Sequence, residues 1–155
     1  MCGILGAFGT RLPERDTFQK ALDTLARRGP DGEGIFATLT CLLGHRRLAI
    51  IDLSTGAQPM TSFDGRFTIT FNGEIYNYRE LKAELEGTYP FSTNSDTEVI
   101  LAGYRAWGAH VLDRLEGMFA FAIFDNEKQE LFCARDPFGI KPLVYGIAHG
   151  TLFFG

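Results

Sequence analysis

The chain has 155 residues, of which 45% are hydrophobic and 22% charged, and its formal net charge at pH 7 is −4. This length suits a single domain that buries a core, and an acidic balance without a basic stripe argues against a nucleic-acid binder. The apolar run at residues 118–124 is far shorter than the roughly 20 residues that span a bilayer.

The first third of the chain predicts a strand, a helix and a pair of strands. Residues 3–9 are apolar and rich in small side chains, which is typical of a buried strand. Apolar residues follow helical spacing within residues 14–27, so we predict a helix there. The sequence Arg28-Gly29-Pro30-Asp31-Gly32 ends that helix in a rigid turn. Residues 34–51 then read as two strands.

The middle of the chain predicts one strand followed by two helices. Residues 66–71 alternate apolar and polar side chains, the period of a half-buried strand, and Asn72-Gly73 closes that strand. Asn77 with Glu80, and Ser95 with Glu98, have the spacing of a capping box and each predicts a helix start.

The last third predicts strands at residues 118–125, 130–135, 142–147 and 151–154. Residues 119–124 have no polar face, which indicates a strand covered on both sides. Helices among antiparallel strands of this kind predict an α+β fold in which two sheets pack together and the helices lie outside.

Cys2 is the candidate nucleophile. Removal of Met1 before this small residue would leave a thiol and a free α-amine on one terminal residue. An α-amine has a pKa near 8, roughly, so it can take or relay the proton of the thiol without a histidine. Cysteines near termini are also common without any catalytic role. The three cysteines of the chain do not suggest a disulfide framework, and we expect a reducing, cytoplasmic setting.

Several motifs together resemble one family. They are Met1-Cys2-Gly3-Ile4, Arg28-Gly29-Pro30-Asp31-Gly32, Asn72-Gly73-Glu74-Ile75-Tyr76-Asn77, Ser95-Asp96-Thr97-Glu98 and the run Arg135-Asp136-Pro137-Phe138-Gly139-Ile140-Lys141-Pro142-Leu143. In this order they resemble the glutaminase domain of glutamine-dependent asparagine synthetases, which are class II, N-terminal-nucleophile amidotransferases. The resemblance implies a four-layer αββα sandwich and a glutaminase domain over residues 1–155 that lacks its C-terminal end and its synthetase domain.

The resemblance also implies the chemistry, which is hydrolysis of L-glutamine to glutamate and ammonia through a thioester on Cys2. It places Asn72 and Gly73 at the oxyanion hole, where a side-chain amide and a close backbone N–H are suitable donors. An Asn-Gly pair is otherwise the favoured two-residue hairpin turn. A simple hairpin is not expected here, because a helix cap at Asn77 follows instead of a second strand.

Substrate-binding roles follow from the same resemblance. It sets Arg47 against the α-carboxylate of glutamine, with the backbone of Leu48 and Ile50 beside it, although Arg46 occupies a neighbouring register. A planar guanidinium suits a carboxylate. Asp96, with backbone around Gly73 and Glu74, would face the α-ammonium group.

Each of these residues also has a purely structural explanation. Asp96 could simply favour the dipole of the helix that it opens, and Arg47 could be a solvated charge at a strand end. Arg28 and Asp31 are expected to shape the pocket, and Cys41 and Cys133 to lie in the core. His45 could pair with Cys2 in a Cys-His hydrolase, but a free α-amine would make that unnecessary.

The resemblance further implies partners and excludes cofactors. No metal-ligand spacing is present, and we expect ATP and magnesium only in a C-terminal synthetase domain that receives the ammonia. We expect no nucleic-acid or membrane partner, and a homodimer stays open. Two alternatives remain: an amidotransferase domain that serves another acceptor, as in glucosamine-6-phosphate synthase or amidophosphoribosyltransferase, and a non-catalytic module that binds glutamine.

Overall fold

A computed structural model of the chain describes residues 1–49 and 56–155. Within these residues nine strands form, which are β1 Gly3–Gly9, β2 Gly32–Ala37, β3 Cys41–Arg47, β4 Met60–Thr61, β5 Phe67–Ile75, β6 Gly117–Asp125, β7 Glu130–Arg135, β8 Tyr145–Ala148 and β9 Thr151–Phe154. The helices in the same residues are α1 Arg15–Asp23, α2 Tyr78–Leu85, α3 Asp96–Trp107 and a 3-10 helix at Gly108–Asp113.

The strands form two antiparallel sheets. The first sheet has the order β2-β3-β1-β9-β8 and the second has the order β4-β5-β6-β7. Helix α1 packs on β1 and β3, strands β1 and β3 face β5, and α3 packs on the other side of β5. The prediction of an αββα sandwich is therefore confirmed.

Strand β5 is buried on both faces, so the prediction of a half-buried strand is wrong. Its apolar side chains, such as Ile69 and Phe71, pack with Ile100 and Leu101 of α3. Its polar side chains point to the layer between the two sheets, where Thr68 and Thr70 are fully buried. The Thr70 hydroxyl donates to the carbonyl of Gly44 at 3.0 Å. The alternating pattern thus separates an apolar face toward α3 from a threonine face between the sheets, where apolar side chains such as Leu43 and Phe124 also pack. A hydrogen bond between the sheets satisfies the buried hydroxyl of Thr70.

Two predicted elements are shorter than expected. Helix α1 ends at Asp23, after which the N–H groups of residues 24–26 bond three residues back and tighten the chain into turns. Strand β8 begins only at Tyr145, although its antiparallel partner β9 has the predicted bounds. Pro142 has no N–H to give to a ladder, which accounts for the late start.

The capping boxes form only in part. The Asn77 side chain does not cap α2; its amide instead donates to the carbonyl of Arg114 at 2.9 Å, and its oxygen accepts from the Glu116 N–H at 3.1 Å. Ser95 does cap α3, because its hydroxyl accepts from the Thr97 N–H at 3.2 Å. Glu98 does not complete that box; it accepts hydrogen bonds from the N–H and hydroxyl groups of residues 92–93.

Candidate active site

A cleft that is open to solvent lies beside the start of β1 and the end of β5. Seven of the eight residues predicted from the sequence line it, namely Cys2, Arg47, Leu48, Asn72, Gly73, Glu74 and Asp96. Ile50 lies outside the described residues. The fold therefore gathers side chains from distant parts of the chain into one cavity.

Cys2 is held at the cleft by hydrogen bonds with the backbone. It directly precedes β1, and the Leu48 N–H donates to its Sγ at 3.3 Å. The Sγ also lies 3.6 Å from the Leu48 carbonyl oxygen, and the Arg28 Nε donates to the Cys2 carbonyl at 3.2 Å. Met1 lines the same cleft. While Met1 is attached, the Cys2 nitrogen is an amide and not an amine.

Asn72 and Gly73 lie inside β5 and not at its end, which corrects the prediction that this pair closes the strand. They are register partners of Ala120 and Phe119 on β6, so the pair forms no hairpin turn, as predicted. A Cβ on Gly73 would lie 2.3 Å from the carbonyl oxygen of Met118. Glycine is therefore required by the close approach of the neighbouring strand.

Asn72 is 3% exposed and lines the cleft. Among residues 1–49 and 56–155, no group forms a hydrogen bond with its side-chain amide. Because buried polar groups are nearly always hydrogen-bonded, an amide left open beside a cleft is suited to a ligand. It can donate through its NH2 group or accept through its oxygen.

The outer edge of β5 also presents a backbone donor. Alternate N–H groups of a strand point to the same side, and those of Phe71 and Ile75 both point away from β6. The Phe71 N–H donates to Oε1 of Gln58 at 2.7 Å, and the Ile75 N–H donates to Oδ2 of Asp96 at 3.1 Å.

Gly73 lies between these two residues, so its N–H points to the same edge. Its partner Phe119 uses both of its backbone groups on Asp136, with N–O distances of 2.8 and 3.2 Å. The Gly73 N–H is therefore directed into the cleft.

Arg46 and Arg47 point to different surroundings. Arg46 forms ion pairs with Asp23 and with Glu33, the latter at 2.6 Å. Arg47 lines the cleft. The ambiguity between the two arginines is removed by the pleat of β3, because adjacent side chains of a strand point to opposite faces.

The turn at residues 28–32 supports this wall of the cleft. The Asp31 N–H donates to the carbonyl of Arg47 at 2.9 Å, and the Asp31 Oδ2 accepts from the Ala49 N–H at 2.9 Å. The Arg28 side chain of the same turn bonds to the carbonyl of Cys2, so this one turn fixes the position of Cys2 relative to residues 47–49. Arg28 and Asp31 thus have the shaping role that the sequence predicts.

Asp96 is the first residue of α3 and is 4% exposed. Burial raises the pKa of its carboxyl to about 6; hydrogen bonds from the N–H groups of Ile75 and Thr97 oppose that shift, and the nearby Glu74 adds to it. A buried carboxylate close to another carboxylate is costly to ionise. A cation in the cleft would offset that cost.

His45 does not lie at the cleft. Its ring is fully buried and its Nε2 donates to the carbonyl of Phe71 at 3.0 Å, linking the two sheets. Burial lowers the pKa of His45 to about 4, with the charge of Arg47 acting in the same direction and the bond to Phe71 opposing it. The ring is therefore neutral at pH 7 and serves as a link between the sheets.

The other two cysteines differ from each other. Cys41 is buried as expected, and burial raises the pKa of its thiol to about 12. Cys133 is exposed, so the prediction that it lies in the core is wrong. It lies on β7, which is an edge strand of the second sheet.

Several residues that line the cleft were not predicted from the sequence. They include Gln58, Thr97, Met118 and Lys141. Met118 could have been found only from the register of β5 with β6, where it is the partner of Glu74. Lys141 belongs to a motif already noted, at a turn whose N–H groups bond to Asp136. Gln58 carries no sequence signal at all.

Two further properties concern the described residues as a whole. In residues 1–49 and 56–155, no three His, Cys, Asp or Glu side chains converge as a metal site would require. No helix in the same part of the chain combines the length and the apolar character needed to cross a membrane.

Comparison with known proteins relates the whole chain to one group. Residues 1–155 match the family model described as a glutamine amidotransferase domain. The chain is 44% identical over 160 residues to asparagine synthetase (glutamine-hydrolyzing) 1 of Bacillus subtilis, covering 99% of this chain and 25% of that protein. It is 43% identical over 157 residues to asparagine synthetase B (glutamine-hydrolyzing) of Escherichia coli, covering 99% of this chain and 28% of that protein.

A relative from a plant and a solved structure agree with this. The asparagine synthetase (glutamine-hydrolyzing) of Zea mays is 43% identical over 149 residues, covering 94% of this chain and 25% of that protein. The structure of glutamine phosphoribosylpyrophosphate amidotransferase from B. subtilis, complexed with ADP and GMP, has a TM-score of 0.79 at 25% identity. That match covers 97% of this chain and 41% of the solved chain.

The chain spans about a quarter of the length of the curated relatives it matches, and it aligns with their amidotransferase part. A family model matched over residues 1–155, relatives above 40% identity and the αββα sandwich all agree. The chain therefore belongs to the glutamine amidotransferase domain family and is homologous to the glutaminase half of glutamine-hydrolysing asparagine synthetases.

Proposed function

We propose that this chain hydrolyses the side-chain amide of L-glutamine through a thioester on Cys2. The ammonia would serve an ATP-dependent synthetase domain that forms asparagine. The observation that best supports the proposal is the content of one cleft, which holds a thiol, an open amide at Asn72, the Gly73 N–H and a buried carboxylate at Asp96.

The first half of the reaction forms the thioester. With Met1 removed, the neutral α-amine of Cys2 takes the proton of the thiol, and the sulfur attacks the amide carbon. The resulting oxyanion accepts hydrogen bonds from the Asn72 amide and the Gly73 N–H. The protonated amine then gives its proton to the leaving nitrogen, the C–N bond breaks, and ammonia departs.

The second half restores the enzyme. Water attacks the thioester carbon while the α-amine accepts one of its protons. The same two donors stabilise the second oxyanion. Collapse of this intermediate breaks the C–S bond, and the thiolate recovers a proton as glutamate leaves. Apart from water and the substrate, every group used in both halves belongs to the chain, so we propose that the domain itself uses no metal or cofactor.

The two charged ends of glutamine have suitable partners. Arg47 can pair with the α-carboxylate through a planar fork, and Leu48 forms the adjacent wall. Asp96 and Glu74 can face the α-ammonium group, which would favour the charged form of Asp96. A free thiol nucleophile needs reducing surroundings, so we propose that the domain acts in the cytoplasm.

The test is glutamate release from L-glutamine by protein that mass spectrometry shows to begin at Cys2. We expect turnover from this protein and none from protein that retains Met1, because the Cys2 nitrogen is then an amide. Cys2→Ala should abolish turnover and still bind glutamine, whereas the matched variant Cys133→Ala, at an exposed cysteine, should keep full activity. Turnover by Cys2→Ala would refute the mechanism, and binding without turnover by the Cys2-terminal protein would indicate a binding module.

The acceptor is tested separately. The chain fused to the synthetase domain of a relative should form asparagine from aspartate, ATP and glutamine, and should lose only the glutamine-dependent route when Cys2 is changed to alanine. If the Cys2→Ala fusion still forms asparagine from added ammonia, the lost step is the supply of ammonia from glutamine. A different amidated product would point to another acceptor.

A further inference from the structure

Gln58 lies where the edge of β5 loses its neighbouring strand. Strand β4 is only two residues long, and it is paired with Thr68 and Ile69 of β5. Beyond that point the N–H groups of residues 71, 73 and 75 face the cleft side. An open strand edge of this kind needs other acceptors.

The Gln58 side chain supplies one of these acceptors and also reaches α3. Its Oε1 accepts from the Phe71 N–H at 2.7 Å, and its Nε2 donates to the Thr97 hydroxyl at 3.3 Å. The orientation of the amide is fixed by chemistry, because a backbone N–H can only donate. Thr97 is 2% exposed, so this second contact is inside the protein.

Asp96 holds the same edge four residues farther along. Its carboxylate accepts from the Ile75 N–H at 3.1 Å. Gln58 and Asp96 therefore satisfy the N–H groups on either side of Gly73 and leave the Gly73 N–H for a ligand. Both side chains also connect β5 to the first turn of α3, since Thr97 follows Asp96 directly.

The backbone of Gln58 packs closely against the first sheet. A Cβ on Gly34 of β2 would lie 2.3 Å from the Gln58 carbonyl oxygen. Gln58 thus lies against the first sheet, bonds to the second sheet and bonds to α3. Its amide is neutral, so it makes these contacts without a further negative charge beside Asp96 and Glu74.

We propose that Gln58 is a positioning residue, which holds the edge of β5 against α3 so that the Gly73 N–H faces the oxyanion. The inference rests on the proposed function, since it assigns Gln58 a role in that reaction. It acts through Phe71 and Thr97 and does not touch the reacting atoms.

The test is Gln58→Met, which keeps the length of the side chain and removes both hydrogen bonds. We expect kcat for glutamine hydrolysis to fall roughly tenfold, since a displaced donor is felt mainly in the transition state. KM should stay within about twofold of the wild-type value, because substrate binding does not use this donor. Rates are divided by the folded fraction from a thermal melt, so a loss of folded protein alone would leave kcat unchanged.

Thr97 gives a second, milder pair of variants. Thr97→Val removes only the acceptor of the Gln58 Nε2 and should lower kcat by a smaller factor, whereas Thr97→Ser keeps the hydroxyl and should restore it. This pair decides the matter if Gln58→Met does not fold.

Wild-type kcat in folded Gln58→Met, or an equal kcat in Thr97→Val and Thr97→Ser, would overturn the proposal. A Cys2-terminal wild-type protein without activity would instead overturn the proposed function itself.

Discussion

The cleft has two sides that are built differently. The thiol side, which consists of Cys2, Leu48, Asn72 and Gly73, contains no charged side chain and is positioned by backbone hydrogen bonds and by the close approach of β6. The carboxylate side consists of Glu74 near the end of β5 and Asp96 at the start of α3, and both side chains can carry negative charge.

This difference suggests that the thiol side carries out the reaction and the carboxylate side recognises the charged end of the substrate. A reaction at carbon depends on donors and nucleophile at fixed positions, so neutral groups in a rigid frame suit the thiol side. Recognition of a charged α-ammonium group depends on an opposite charge held away from water, which suits the carboxylate side. Changes on the thiol side should therefore alter kcat, and changes on the carboxylate side should alter KM.

The largest effect is expected on the thiol side, for Asn72→Ala. Loss of one oxyanion donor should lower kcat by roughly 10²–10³ with little change in KM. Steady-state kinetics of glutamine hydrolysis measure both values. The control is Asn77→Ala. Asn77 lies outside the cleft, and its side chain has a structural role because it bonds to Arg114 and Glu116. A rise in KM at constant kcat for Asn72→Ala would contradict this assignment of roles to the two sides.

The next effect is expected on the carboxylate side, for Asp96→Asn. Asparagine keeps an oxygen for the Ile75 N–H but has no charge for the substrate ammonium. KM should rise by roughly two orders of magnitude, the scale for removing one partner of a buried charge pair. The control Glu98→Gln changes a carboxylate in the same helical turn, where it bonds to residues 92–93 and not to the cleft. A KM that rises equally in both variants would indicate general damage to α3.

Arg47 belongs to neither of the two sides; we propose that it binds a charged end of the substrate, so a smaller effect on KM is expected for Arg47→Lys. Lysine keeps the charge and loses the planar fork, so KM should rise roughly tenfold. Arg46→Lys is the matched control, because Arg46 pairs with Asp23 and Glu33. If Arg46→Lys had the larger effect on KM, the assignment of the carboxylate partner would be wrong.

The smallest effect is expected in the pH dependence of the stability of the folded protein, to which Asp96 contributes. Its pKa of about 6 in the folded protein exceeds the ordinary value of 3.8, so the folded state binds this proton more tightly than the unfolded chain does. The contribution of Asp96 to stability should therefore fall as the pH rises from about 4 to about 6 and then stay constant. Thermal melts of the wild type and Asp96→Asn across this window measure the difference, which should be absent from the variant.

The same titration should appear in substrate binding. KM for L-glutamine should rise as the pH falls through about 6, because the protonated carboxyl no longer attracts the ammonium group. Glutaramic acid, which has the amide and the carboxylate but no α-amine, should lack this dependence and keep only that of the Cys2 amine. An identical pH profile for both substrates would assign the titration to another group.

Local sequence patterns predicted most of the elements, because hydrophobic periodicity and turn residues act over a few neighbouring positions. Strands β1, β7 and β9 have the predicted bounds, and Ser95 caps α3 as expected. The failed predictions share a cause: hydrogen bonds and strand pairing with residues far apart in the chain replace the local contacts that the patterns predict. Asn77 bonds to Arg114 and Glu116 instead of capping α2, and β5 continues past Asn72-Gly73 because β6 pairs with it as far as Ile75.

The sequence by itself determined the family, the αββα architecture and the set of candidate residues. The motifs that carry this resemblance are recognised from residue identity and order, which do not depend on tertiary contacts. Only the tertiary structure decided that Arg47 and not Arg46 faces the cleft, that the Asn72 amide is left open, and that Gln58 and Asp96 flank the Gly73 N–H. These facts depend on strand register and on contacts between residues far apart in the chain. No local pattern encodes them, because a side chain's hydrogen-bond partner is set by which groups the packed sheets bring within about 3 Å of it.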